Sequence, residues 1–276
     1  MPLLRLPEPY DFAVSTERFR AFGPDLANLW HEGGLHRVVG TREVRIEPAP
    51  GGVLVEPLDA EIEPVVRKLL GLEFDPEPFY GFARSDSVLR RLVPKLAGFR
   101  PPIAPNPFEA LVSSITAQQV SLHAAFAVRS RLIERYGVQR GHAFAFPMAA
   151  RLAALGSNDL LVLGFSRRKA EYVLDLAAVE PDYDALAALP DDEAKERIVA
   201  IRGLGEWTAD WYLARHLVRP EAWPAGDLGL RKAVGAFYRG GDDVSIQEVR
   251  AMGARFAPFQ NLTAHYLLTG LRVVGA

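Results

Sequence analysis

Helix starts and stops recur at short intervals through the C-terminal two-thirds of the chain, and this punctuation restricts the fold more than any other feature. Asn106-Pro107 supplies an N-cap with proline at the first helical position for a helix through about Ala117. Ser121 caps the next, through Tyr136 with Gly137 behind it, and Ser157 and Ser166 start two more. Asp191 or Asp192 opens a helix to Ile201, Gly205 to Val218 forms another, and Asp227 precedes one to about Tyr238. Ser245 precedes a helix to about Phe256, and Phe259 to Arg272 closes the chain. Such a run must bury its apolar stripes helix against helix.

The first 78 residues read differently. Thr41 to Glu47 alternates, Pro48 to Gly52 (Pro-Ala-Pro-Gly-Gly) punctuates, and Val53 to Pro57 resumes as an extended run, which predicts a hairpin. Thr16 to Trp30 is helical in composition with a break at Gly23-Pro24, and Asp59 to Leu70 reads as a helix stopped by Gly71. Asp75 to Phe79, with two prolines, reads as a linker. The expected class is α+β: a small mixed α/β N-terminal domain (1–78) followed by an all-α core (79–276), with no internal repeat.

Composition then removes functions. The 276 residues contain no cysteine, which excludes disulfides, thiolate nucleophiles, Cys-containing zinc sites and a four-Cys iron–sulfur cluster. The six histidines (His31, His36, His123, His142, His216, His265) form no HExxH or other close ligand pair, so no metal site is expected. No run is apolar enough for a membrane span, the start is neither a signal nor a transit peptide, and a cytoplasmic location is expected. A net charge of −2 argues against a simple nucleic-acid coater, yet residues 84–140 hold nine bases and three acids, whereas residues 1–85 hold nine bases and fourteen acids. A positive face is therefore available. The excess of Arg (27) over Lys (5) fits phosphate binding and genome composition equally.

The most informative segment is Glu193 to Leu213. Ala194, Ile198 and Ile201 share one helix face, Trp207, Trp211, Ala214 and Val218 share another, and Gly203-Leu204-Gly205 lies between. Two glycines allow positive φ and close approach, and the helix that follows offers free N–H groups to an anion. On spacing alone this is a tight αα turn with core tryptophans. A dinucleotide fingerprint is a second reading, with Asp227 as the ribose acid. It is set aside because Thr208 occupies the third glycine position and no train of βα units surrounds it.

Ile201 to Ala209 (Ile-Arg-Gly-Leu-Gly-Glu-Trp-Thr-Ala) resembles the hairpin of the helix-hairpin-helix DNA glycosylases, and Trp223 to Asp227 (Trp-Pro-Ala-Gly-Asp) resembles the segment ending in that superfamily's catalytic aspartate. Asn106 to Ser121 is similar to the helix leading to the DNA-wedging turn of the 3-methyladenine DNA glycosylase II group, and Pro9 to Phe12 and Pro258 to Leu262 are similar to its two ends. The likeness spans nearly the whole chain, strongest at 195–231.

The resemblance implies a two-lobed core, with one lobe at 102–219 and the other at 79–101 plus 220–276. It implies Asp227 as the catalytic carboxylate, an aspartate that also reads as an N-cap, and Trp207, Trp211 and Phe259 as the lining of the base pocket. Gly203, Leu204, Gly205 and Thr208 would bind DNA, with Gln118 or Gln119 as the wedge. Three positions depart from the family: Trp207 replaces the lysine of lyase-type relatives, Phe259 stands where tryptophan is familiar, and Gln119 stands where leucine is. Glu206 adds a carboxylate beside the phosphate site. The implied function is a monofunctional glycosylase that flips alkylated bases, N3- and N7-methylpurines among them, out of double-stranded DNA and hydrolyses the N-glycosidic bond. It would act as a nucleoid-associated monomer without cofactor, the hairpin leaving room for a structural monovalent cation. The rival readings are a non-catalytic helix-hairpin-helix DNA-binding protein and a nucleotide-dependent oxidoreductase.

Overall fold

The computed structural model describes residues 1–275. Its N-terminal part is a five-stranded antiparallel sheet of β1 (Leu3–Arg5), β2 (Leu29–His31), β3 (Gly34–Val39), β4 (Arg42–Ala49) and β5 (Gly52–Glu56), in the order β1-β5-β4-β3-β2. The alternation through β4 sets the register: Ile46 lies between Leu35 of β3 and Val55 of β5. These side chains, with Val44 and Val53, are completely buried beneath Ile62, Val66 and Leu69 of the helix Ile62–Leu69. Each such side chain contributes roughly 1.5–3 kcal/mol by leaving water. Gly71, at φ +67°, stops that helix where the sequence placed the stop.

The sheet is tied to the helical core by buried charges. Arg37 of β3 donates to Glu109 of the helix Pro107–Ala117 at 2.6 Å and to Asn28, while Arg129 of the helix Leu122–Tyr136 pairs with both Glu109 (2.5 Å) and Asp25. Burial alone raises a carboxyl pKa, but the facing guanidiniums hold Asp25 and Glu109 below their usual range. Glu43 makes a second tie, accepting from the backbone N–H of His142 between β6 (Val138–Arg140) and β7 (Ala143–Ala145) and contacting Nδ1 of His36 at 2.9 Å.

The helices bury two further clusters. One joins Phe108, Leu111, Val173, Ile198, Tyr212 and their neighbours, and the other joins Phe79, Leu89, Phe99, Leu230, Phe256 and Tyr266. Leu268, on the last helix Gln260–Val273, packs against both. The N-caps work as the sequence indicated: Asn106, Ser121, Ser166, Asp227 and Ser245 each accept the backbone N–H three residues on.

Two expectations fail. No helix runs from Thr16 to Trp30: a single 3-10 turn, Glu17–Phe19, is followed by irregular chain into β2. Gly23 takes φ +102° before Pro24, and the Asp25 carboxylate accepts the N–H groups of Ala27 and Asn28, so side-chain bonds replace those of a helix. The supposed linker at 75–79 is the entry to the helix Glu77–Ala83, with its second proline in the first turn, where the missing N–H costs nothing. Two smaller differences concern caps: Gly156 rather than Ser157 precedes the helix Ser157–Leu161, and Pro190 precedes Asp191–Val199. No helix of the described residues is long and apolar enough to cross a membrane.

Candidate active site

The two helices Asp191–Val199 and Glu206–Arg215 form the hairpin predicted from sequence. Because a helix precedes Gly203, the dinucleotide reading, which needs a strand there, falls. Gly203 adopts φ +90°, and a Cβ there would lie 2.2 Å from Cγ of Tyr172, so backbone conformation and packing both demand glycine. Leu204 is buried and anchors the turn in the core. Gly205 is the N-cap, with open space around it, leaving the N–H groups that follow accessible.

Gln118 and Gln119 part company. Gln118 turns inward and donates through Nε2 to the Gly203 carbonyl at 2.8 Å, bracing the hairpin. Gln119 stands exposed at the turn before Leu122–Tyr136 with φ +55°. The carboxylate of Glu206 is engaged by Lys195 (3.2 Å) and Arg250 (2.8 Å), so its charge is matched at the helix start. The hydrogen bond from Lys195 holds its pKa below the ordinary glutamate value.

Thr208 turns its side chain inward. It is 1% exposed and its hydroxyl is sealed from solvent, so only its backbone N–H is left to the first turn of the hairpin helix. Its position on the helix face that packs inward, one residue past Trp207, is the reason.

Asp227 is where the elements converge. As N-cap of the helix Leu228–Tyr238 it accepts the Leu230 N–H through Oδ1 at 2.9 Å. Its Oδ2 accepts from Nε1 of Trp207 at 2.9 Å and from Nε1 of Trp211 at 3.0 Å. Capping and the site role are therefore compatible: one oxygen orients the helix while the other is held by two indoles one turn apart on the hairpin helix. Three charge-assisted donors fix the plane of the carboxylate. The Trp211 ring is 3% exposed, and the Arg215 guanidinium carbon sits 3.5 Å from its centroid, so that face is already covered. Trp207 is half-buried. Phe259 packs on Phe82 (5.2 Å) and Phe79 (6.0 Å) in the other cluster and is half-buried.

A glycine hairpin offering N–H groups, braced from the turn after Pro107–Ala117 and facing an aspartate at the start of another helix, defines a helix-hairpin-helix protein of DNA base excision. Residues 112–257, more than half of the chain, match the family described as HhH-GPD superfamily base excision DNA repair protein, and the chain belongs to that superfamily. It is 27% identical to a DNA-3-methyladenine glycosylase of Bacillus subtilis over 75% of this chain and 71% of that one. It is 28% identical to DNA-3-methyladenine glycosylase 2 of Escherichia coli over 64% of this chain and 60% of that one. The solved 3-methyladenine DNA-glycosylase of Archaeoglobus fulgidus superposes over 100% of both chains with a TM-score of 0.88 at 26% identity.

Proposed function

We propose that this protein is a DNA glycosylase that removes alkylated bases, N3- and N7-methylated purines among them, as the first step of base excision repair. The observation that carries this reading is the Asp227 carboxylate, held by the two indole N–H groups and the Leu230 N–H beside the hairpin. A base inside a duplex is out of reach, so the nucleotide must be extruded and the gap filled. Gln119, exposed at its turn, fills the gap, and the N–H groups after Gly205 hold a phosphate. As the glycosidic bond lengthens, the sugar gains positive charge, which the ionised Asp227 stabilises while it orients the attacking water.

Trp207 occupies the place of a Schiff-base lysine, so water is the nucleophile and the product is an abasic site. The chemistry calls on no cofactor. A monovalent cation at the hairpin would only steady the turn, and Gln118 already occupies the Gly203 carbonyl. The enzyme acts as a monomer on double-stranded DNA in the cytoplasm, at the nucleoid. The names carried by relatives support this activity over a non-catalytic hairpin protein. Incubation with methylated duplex DNA and chromatography of the released bases tests it: free methylpurine is expected, and DNA binding without release contradicts it.

A further inference from the structure

The first turn of the helix Arg167–Val179 carries Arg167, Arg168 and Lys169 and no acid, the wrong sign for the positive end of a helix dipole. Arg167 and Arg168 are exposed, but Lys169 is half-buried. Its Nζ donates to the backbone carbonyl of Thr116 at 2.9 Å, 53 residues away in the chain. Desolvation lowers its pKa with no carboxylate to oppose it. A lysine set against both its own helix dipole and its hydration breaks the local rules, and such breaks gather where function requires them.

Thr116 lies in the last turn of the helix Pro107–Ala117, whose final carbonyls lack helical partners and form the negative end of that dipole. The exposed turn follows at once. Gln118 leaves the helix at φ −58° and ψ 128°, Gln119 takes φ +55°, and Ser121 caps the next helix. A glutamine stays in the left-handed region only where its surroundings impose it. Here they supply two ties: Lys169 holds the chain before the turn through Thr116, and Gln118 fastens the turn to the Gly203 carbonyl at 2.8 Å. Tyr172, three residues after Lys169 and so on the same side of its helix, packs against Gly203, where a Cβ would lie 2.2 Å from its ring. One face of the helix Arg167–Val179 therefore carries both the Gln119 turn and the hairpin.

We infer, resting on the proposed glycosylase function, that Lys169 is a positioning residue for base extrusion: by fixing Thr116 it holds Gln119 where it enters the gap left by a flipped nucleotide. Lys169 acts on the turn and not on the reacting atoms, so the chemistry at Asp227 does not pass through it. Its effect is confined to substrates in which a pair must be broken and a gap filled. A lesion presented as a single-nucleotide bulge has no partner, and its departure from the stack leaves no hole opposite a base. A misplaced Gln119 therefore slows excision of a paired lesion and spares a bulged one.

The test is single-turnover release of 7-methylguanine from two duplexes, one with the lesion paired to cytosine and one with it as a single-nucleotide bulge. Lys169→Met keeps the apolar stem and removes the donor. Its rate on the paired lesion is expected to fall about tenfold or more, its rate on the bulge to stay within about twofold of wild type, and Lys169→Arg to keep most of the paired rate. Gln119→Ala is expected to give the same pattern, and adding Lys169→Met to it to cost nothing further, because the lysine acts through Gln119. The paired-to-bulged ratio does not depend on the fraction of protein folded, so it is read even where a variant melts lower. Equal losses on both substrates overturn the inference, as do additive losses in the double variant, the mark of a lysine that meets the DNA backbone directly. A wild-type chain that releases the paired base but not the bulged one overturns it too. A wild-type chain that binds both duplexes and releases neither base overturns the glycosylase reading itself.

Discussion

The indole of Trp207 donates to the carboxylate of Asp227 at 2.9 Å, so two residues twenty apart in sequence lock the hairpin helix to the start of the helix Leu228–Tyr238. Trp211 repeats the contact at 3.0 Å. A tryptophan read as an apolar wall thus also acts through its polar edge. Replacing Trp207 by Phe keeps the ring and removes one donor to a charged acceptor, an interaction of roughly 1.5–3 kcal/mol. The single-turnover excision rate is expected to drop about tenfold to a hundredfold with DNA affinity little changed. A rate equal to wild type separates Trp207 from the orientation of Asp227.

Gly203→Ala places a methyl group 2.2 Å from the Tyr172 ring at φ +90°. Backbone strain and overpacking each cost about 1–3 kcal/mol. The melting temperature is expected to fall by several degrees and affinity for undamaged duplex to fall with it. Gly205→Ala, with nothing within reach of its Cβ, is expected to be milder on both counts.

Glu109 joins Arg37 and Arg129. Its pKa is depressed on folding by these partners acting against burial, so its stabilisation is present above the unfolded value of about 4.3 and disappears as the pH falls below it. Glu109→Gln leaves two guanidiniums short of charge and is expected to cost about 3–5 kcal/mol at neutral pH. Denaturant titrations from pH 7 to 3 are expected to show the wild-type chain losing stability toward acid and the variant losing less, with the curves converging. Parallel curves contradict the assignment.

Much of this site was legible in the sequence because its determinants are local. A cap such as Ser121 or Asp227 acts within one helical turn, and Gly203 needs only its own φ and one neighbouring ring. What escaped depends on distant partners. Asp25 ends any helical continuation by turning on itself, and its carboxylate also meets Arg129, 104 residues away. Thr208 reads as a phosphate donor until the packing around it is known. Phe259 keeps its expected place at the start of the last helix, and its tilted packing on Phe79 and Phe82 depends on residues some 180 positions away.

The resemblance puts Trp207 where lyase-type relatives carry their lysine, so a Schiff base is not expected. Borohydride added during turnover is expected to trap no protein–DNA adduct on denaturing gels, and the product strand is expected to break only after alkali. A trapped adduct contradicts water as the nucleophile.

The most direct measurement is single-turnover release of methylated purine by Asp227→Asn beside the wild-type chain. Asparagine keeps one oxygen for the cap on the Leu230 N–H but sets its NH2 against the two indole N–H groups, so the chain is expected to fold and bind DNA with a lowered melting temperature. The negative charge and the acceptor for the indoles are both lost, and the rate is expected to fall by about 100-fold or more. Excision by the variant within a few-fold of wild type would show that Asp227 is a helix cap and that the chemistry resides elsewhere.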